Sequence, residues 1–202
     1  MERYLITQSL VSSWNYAMQA GTEEAFADFM RTLRREPSET TKAMAAGLEF
    51  EALCYRMASG WSGKPDPKLV RGAQEVATEI VGGACQLKAS RDVEVDGTTY
   101  LLYGILDVLK AGTIYDIKFS TKALWKKDVY GKYLESPQHP FYFHIIPEAQ
   151  EFTYLLSDGM DVYRETYHRS ECPTAEAIIR EFVAALERSN LLEEYKKHWL
   201  AR

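Results

Sequence analysis

Apolar residues at helical spacing dominate the first sixty positions. Phe26, Phe29, Met30 and Leu33 recur every three or four residues behind Thr22, an N-cap candidate, and Gly21 punctuates before it. A second run, from about Thr41 to Ala58, follows the break "REPSETT" and stops at Gly60. Residues 1–60 therefore read as helical. "GWSGKPDPK" is a loop, and its Gly-Lys pair lacks the upstream glycine and the following hydroxyl of a phosphate-binding loop. Residues 67–82 predict another helix.

The period then changes. "CQLKASRDVEVDG" ends at Asp96-Gly97, a hairpin signal; "TTYLLYGILDVLKAG" ends at Gly112; "TIYDIKFST" makes a third strand. These three predict an antiparallel meander. Pro147 and Glu148 read as the first turn of a helix running to about Ser157. "DVYRETYHR" is a fourth strand, and "PTAEAIIREFVAALERSNLLEEYKKHWLAR" one or two amphipathic helices. The expected class is α/β (α+β): a small mixed β-sheet with an antiparallel meander, flanked by helices. A chain of 202 residues, 46% hydrophobic, fits one domain over 1–202. Its sheet core would lie at 85–170 and its C-terminal helices at 174–202.

Composition narrows the setting. No run approaches 18 apolar residues, so no membrane partner is expected. The opening "MERYLITQSLVSSWNY" does not read as a signal peptide. Cys54, Cys85 and Cys172 are scattered, without metal-ligand spacing, and point to a reduced, cytoplasmic compartment. Net charge is −5, yet residues 118–132 hold five lysines, among them Lys122, Lys126 and Lys127, against one aspartate. Trp125, Tyr130 and Tyr133 are interleaved with them. Such loops are most often merely solvated, but this mixture also suits backbone-tracking, base-stacking contact with nucleic acid.

The chemistry concentrates in "YGILDVLKAGTIYDIKFSTK", where Asp107 and Asp116 interrupt two apolar strands and Lys118 follows. With Ala111-Gly112 as the loop, Asp107 lies opposite Asp116; with Gly112-Thr113, it lies opposite Lys118. Either register gathers all three on one face with Ile105, Leu109 and Ile114, whereas a three-residue loop would move Asp107 away. A plain Asp107–Lys118 salt bridge is the simpler reading. Opposed like charges on a partly buried face call for compensation, however, and a divalent cation supplies it. Gly47 and Glu51 share a helix face, the glycine permitting close approach to another element, so Glu51 could join the acids. Its simpler reading is an exposed helical glutamate.

The ordered set Gly47-x-x-x-Glu51, Gly104-x-x-Asp107, Asp116-x-Lys118 and Gln150-x-x-x-Tyr154 resembles the PD-(D/E)XK nuclease superfamily, in its RecB-like or phage-exonuclease-like branch. The likeness spans roughly residues 1–160. Gln138 and Tyr142 also fit the last motif, but Pro140 between them argues against a helix there, whereas Gln150 and Tyr154 fall on a predicted one. A glutamate at position 51 departs from the histidine common in the RecB-like branch.

The resemblance implies a restriction-endonuclease-like core and Mg²⁺- or Mn²⁺-dependent hydrolysis of DNA by an exonuclease of recombination, repair or phage type. Glu51, Asp107, Asp116 and the Ile117 carbonyl would hold the ion. Lys118 would orient the attacking water or stabilise charge; Gln150, Tyr154, Lys122, Lys126 and Lys127 would meet the substrate. Three scattered cysteines imply no iron–sulfur cluster, and the lack of a helicase motif makes any helicase or recombination partner a separate chain. The alternative is a catalytically silent nucleic-acid-binding module on the same fold.

Overall fold

A computed structural model of the chain describes residues 2–124 and 129–201. Trp125, Lys126 and Lys127 of the lysine-rich loop lie outside the described residues. In chain order the elements are β1 (Arg3–Ile6), α1 (Gln8–Ala20), α2 (Glu23–Leu33), α3 (Lys42–Ala58), α4 (Pro67–Ile80), β2 (Ala84–Val95), β3 (Thr98–Lys110), β4 (Thr113–Phe119), α5 (Gln138–Ile145), β5 (Glu151–Ser157), β6 (Val162–His168), α6 (Ala175–Arg188) and α7 (Leu192–Trp199). Threonines set four helix starts: Thr7, Thr22, Thr41 and Thr174 each accept from the N–H three residues on. Asp96-Gly97 and Ala111-Gly112 are both left-handed at both positions, the geometry of a type I′ hairpin.

The sheet is mixed and flanked by helices, in the order β1-β3-β4-β5-β6 with β2 also on β3. β3 is its organising strand. β2 runs along one whole edge of β3, pairing from Thr98 to Leu109. The other edge is shared: β1 takes residues 99–102 in parallel, and β4 takes 108–110 antiparallel. Among the described residues, 103–107 therefore have no strand beside them on that edge.

Two apolar clusters cover the two faces. The larger packs Leu102, Leu106, Ile114, Phe152 and Tyr154 against α1, α2, α5, α6 and α7. The smaller packs Val108, Ile117 and Leu155 under Phe50, Leu53 and Cys54 of α3 and Ala73, Val76 and Ile80 of α4. Leu106 and Val108 are two residues apart yet belong to opposite clusters. Side chains two apart on a regular strand share a face, so β3 changes face at Asp107.

Three readings from the sequence need correction. The first sixty residues are not all helical, because β1 precedes α1; four residues are too few to show a period. The helix expected from Pro147 to Ser157 is instead β5, flanked by β4 and β6 and buried on both faces. A strand covered on both sides reads as a continuous apolar run, which periodicity cannot distinguish from a helix. Conversely, Gln138–Ile145 is helical despite Pro140. That proline falls in the first turn, where backbone N–H groups have no intrahelical acceptor to lose.

The two motif glycines also differ from each other. A Cβ on Gly47 would meet nothing within 4 Å, so this glycine brings no element close. A Cβ on Gly104 would lie 2.1 Å from the Tyr142 ring. That ring cannot readily yield, since its hydroxyl donates to the Ile105 carbonyl at 2.9 Å and its face stacks near Phe152. Gly104→Ala is expected to destabilise the protein by about 1–3 kcal/mol, the scale of core overpacking. A urea midpoint equal to wild type at unchanged slope would show that Tyr142 moves freely.

Candidate active site

The gap beside β3 collects the acids that the sequence singled out. The Ala111-Gly112 turn places Asp107 opposite Asp116, but the ladder stops at Val108–Tyr115 and the strands part. In place of ladder bonding, the Ile117 N–H donates to Asp107 Oδ2 at 2.8 Å. Asp116 is 3% exposed. Its Oδ1 accepts from Gln138 Nε2. Its Oδ2 lies 2.7 Å from Lys118 Nζ without the alignment of a hydrogen bond, and so is buried with no hydrogen-bond partner. The expected Asp107–Lys118 bridge is thus replaced by an Asp116–Lys118 pair. Of the three apolar neighbours expected on this face, Leu109 and Ile114 belong to the larger cluster, and Ile105 is on the other side, 39% exposed.

α3 delivers Glu51 to the same gap. Phe50 stacks on Phe119 at 4.8 Å between centroids, and with Leu53 and Cys54 it fixes the helix over β4 and β5. Glu51, next to Phe50, then reaches Tyr55 and Gln86. The Tyr55 hydroxyl donates to Glu51 Oε1 at 2.7 Å and to the Asp107 carbonyl at 3.3 Å. Gln86 Nε2 donates to Glu51 Oε1 and to the Tyr55 oxygen, both at 2.8 Å. Gln86 stands opposite Asp107 on β2 with φ +54°, a left-handed conformation that costs a non-glycine residue roughly 1–2 kcal/mol. Strain beside a cluster of acids marks a functional candidate.

Burial dominates the electrostatics. It raises the Asp107 carboxyl first, the Asp116 and Glu51 charges add to the effect, and the Ile117 N–H and Lys118 oppose it; the carboxyl is pushed up to about 8. For Lys118, burial would lower the ammonium, but the Asp116 charge and hydrogen-bonding contact, with Asp107 behind them, hold it above its ordinary range.

Gln150 and Tyr154 do not come together on a helix. Gln150 is exposed just before β5, its N–H bound to the Gly112 carbonyl at 2.9 Å. Tyr154 is a core residue whose hydroxyl meets His139 Nδ1 at 3.1 Å and whose ring stacks on Tyr133 at 4.1 Å. The pair that faces the gap is Gln138, bound to Asp116, and Tyr142, bound to the Ile105 carbonyl. Lys122 is exposed in the turn after β4, and Lys126 and Lys127 lie outside the described residues. His139 is not an acid–base candidate: buried and stacked on Tyr167, it is pulled down to about 4 and stays neutral.

Whether a divalent cation fits can be judged from the donors. Among the described residues no three His, Cys, Asp or Glu side chains converge as a ready-made metal cluster. Glu51 Oε1 is already taken by Tyr55 and Gln86. Asp116 Oδ2, held by the Lys118 ion pair alone, and the adjoining Asp107 carboxylate remain. They fit an ion that takes one or two carboxylates and fills its shell with water and phosphate oxygens, as Mg²⁺ does.

No protein-family model matches the chain, and no curated protein matches it by sequence. Among solved structures it is similar to SSO0001, at 16% identity over 94% of this chain and 78% of that one, with a TM-score of 0.51. It also overlays on LHK-Exo in complex with dAMP at 15% identity, over 95% of this chain and 91% of that one, with a TM-score of 0.43. The first is a likeness of fold; the chemistry rests on the geometry above.

Asp107 makes the metal-free protein sensitive to pH. An unfolded aspartate titrates near about 4, whereas Asp107 holds its proton to about 8. The folded state therefore binds more protons between these values, and stability falls as pH rises through that window. Urea unfolding in EDTA at pH 5 and pH 8 should show this fall, and Asp107→Asn should flatten it. An undiminished fall in Asp107→Asn would place its source elsewhere.

Proposed function

We propose that this protein is a metal-dependent nuclease that hydrolyses DNA phosphodiester bonds. The observation that carries this reading is the gap beside β3, where Asp107, Asp116 and Lys118 meet at the point where two strands part. Buried like charges that share one lysine have a reason to exist if they also bind a cation. The ordered motifs that resemble PD-(D/E)XK nucleases support the same conclusion, with Gln138 and Tyr142 now taking the place given to Gln150 and Tyr154. An exonuclease of recombination, repair or phage type is the finer form of the proposal.

Asp107 and Asp116, with the Ile117 carbonyl, would hold Mg²⁺ or Mn²⁺, and Glu51 would bind through an intervening water or after release from Tyr55. Such an ion supplies a polarised phosphate and a bound water of lowered pKa. Lys118, kept charged by Asp116, stabilises negative charge developing on the phosphate oxygens or orients the attacking water. Gln138 fixes the Asp116 rotamer through Oδ1 and leaves Oδ2 toward the gap. Gln86 and Tyr55 orient Glu51. Lys122 would meet the substrate backbone.

One observation favours a second reading, a nucleic-acid-binding module without catalysis: Glu51 is engaged by Tyr55 and Gln86, and among the described residues no three-ligand cluster stands ready. Linear and circular, single- and double-stranded DNA incubated with Mg²⁺, Mn²⁺ or EDTA separates the two. Metal-dependent cleavage that Asp107→Ala, Asp116→Ala and Lys118→Ala each abolish is the expected result, and full activity in Asp107→Ala would sink the assignment. Gln138→Ala should lower the rate by about 10–100-fold, the usual effect of losing a ligand's orienting partner. Thermal melts add a readout independent of turnover. Mn²⁺ should raise the wild-type melting temperature more at pH 8 than at pH 5, since binding must displace the Asp107 proton. Asp116→Asn should erase that rise.

A further inference from the structure

Opposite the larger cluster, the sheet is only half covered. α3 and α4 lie over Val108, Ile117 and Leu155, but Leu101, Tyr103 and Ile105 of β3 belong to neither cluster and point to the same side. Tyr103 is 38% exposed and Ile105 39%. Residues directly opposite on an antiparallel partner share their face, so Lys88 stands beside Ile105 and Ser90 beside Tyr103. At the far end, Leu101 and Tyr103 line a cavity of about 540 Å³ with Arg35, Lys197, His198 and Leu200. At the near end the row stops at the Glu51–Tyr55–Gln86 group.

Cations outnumber acids along this face, although Glu94, opposite Thr99 and bonded to its hydroxyl, adds a negative charge at the far end. The cavity has cations and no acid in its lining. Asp92, opposite Leu101, is neutralised by Arg3 at 3.3 Å, and Glu194, near His198, by Arg34 at 2.9 Å. Arg35 lies flat over the Trp199 ring at 4.9 Å, which holds its guanidinium at the rim. An exposed aromatic between separated cations suits bases that stack and phosphates that are neutralised, the pattern of single-strand binding. The four steps of strand from Tyr103 to Asp107 span about 13 Å, the length of a few nucleotides.

We infer that the uncovered β2–β3 face is a track for single-stranded DNA leading to or from the acids, with Tyr103 as its stacking platform and Lys88, Arg35 and Lys197 as its phosphate contacts. This rests on the nuclease reading for what happens at the acids, but not for the binding itself. Anisotropy of a short fluorescein-labelled single strand in EDTA reads the track without cleavage. Tyr103→Ala should weaken binding about fivefold or more, the lower end of base–aromatic stacking, while Tyr103→Phe keeps the platform and should stay close to wild type. Lys88→Ala with Lys197→Ala should reduce the slope of log affinity against log salt by about 1.4, two phosphate contacts at about 0.7 each. Wild-type protein that ignores the single strand overturns the inference. So does a Tyr103→Ala variant that binds like wild type with an unchanged salt slope in the lysine pair. DNA cut normally by a Tyr103→Ala variant of unaltered affinity leaves the nuclease reading standing and the track refuted. Loss of the single strand on Tyr103→Ala, in a protein that cuts nothing, has the opposite meaning.

Discussion

A strand that loses its neighbour partway along must satisfy its backbone another way. β3 is in this position from residue 103 to 107, between the end of β1 and the start of β4. Its Ile105 carbonyl accepts from the Tyr142 hydroxyl and its Asp107 carbonyl from the Tyr55 hydroxyl. One tyrosine comes from α5 and the other from α3, on opposite sides of the sheet. The unpaired edge thereby fixes where both helices sit, and Gly104 is small because Tyr142 must cross directly over it.

The same gap sets the electrostatics. Two strands that part leave room for carboxylates but little water to solvate them, so Asp116 is buried and Asp107 half-buried with like charge close by. What compensates is specific: the Ile117 N–H for Asp107, Gln138 and Lys118 for Asp116. The compensation is incomplete, as the raised Asp107 carboxyl and the unsatisfied Asp116 Oδ2 show. Incomplete compensation of partly buried acids beside a gap marks a candidate functional site.

Apolar packing brings the remaining groups into range. Phe50 against Phe119 locks the register of α3, and that register decides that Glu51, not Glu49, meets Tyr55 and Gln86. On the other face Tyr133 stacks over Tyr154, and its N–H is tied to the buried Glu165 at 3.1 Å. The chain that returns from the lysine-rich loop is thus anchored beside Lys118. Helices that carry polar groups into a gap are themselves held by apolar contacts on either side of it.

Local chemistry made much of this legible in the sequence. Threonine caps, two hairpin turns with glycine second, and period-two alternation specify most helices and the meander. They left the turn between the acids open, and the structure's type I′ turn at Ala111-Gly112 selects the Asp107–Asp116 register. The partners of those acids were not legible. Gln138 and Tyr142 were set aside for Pro140, whose tolerance depends on its landing in a first turn. β5 was read as a helix, because burial on both faces removes the alternation that marks a strand. Gln86 carries no signal at all: its left-handed backbone and its reach to Glu51 exist only once α3 is docked. The sequence by itself determined which residues could carry charge chemistry and that a tight hairpin joins the strands bearing the two aspartates. Only the tertiary structure decided where β3 lacks a neighbour, because an unpaired edge is a property of strand order in space and of no local segment.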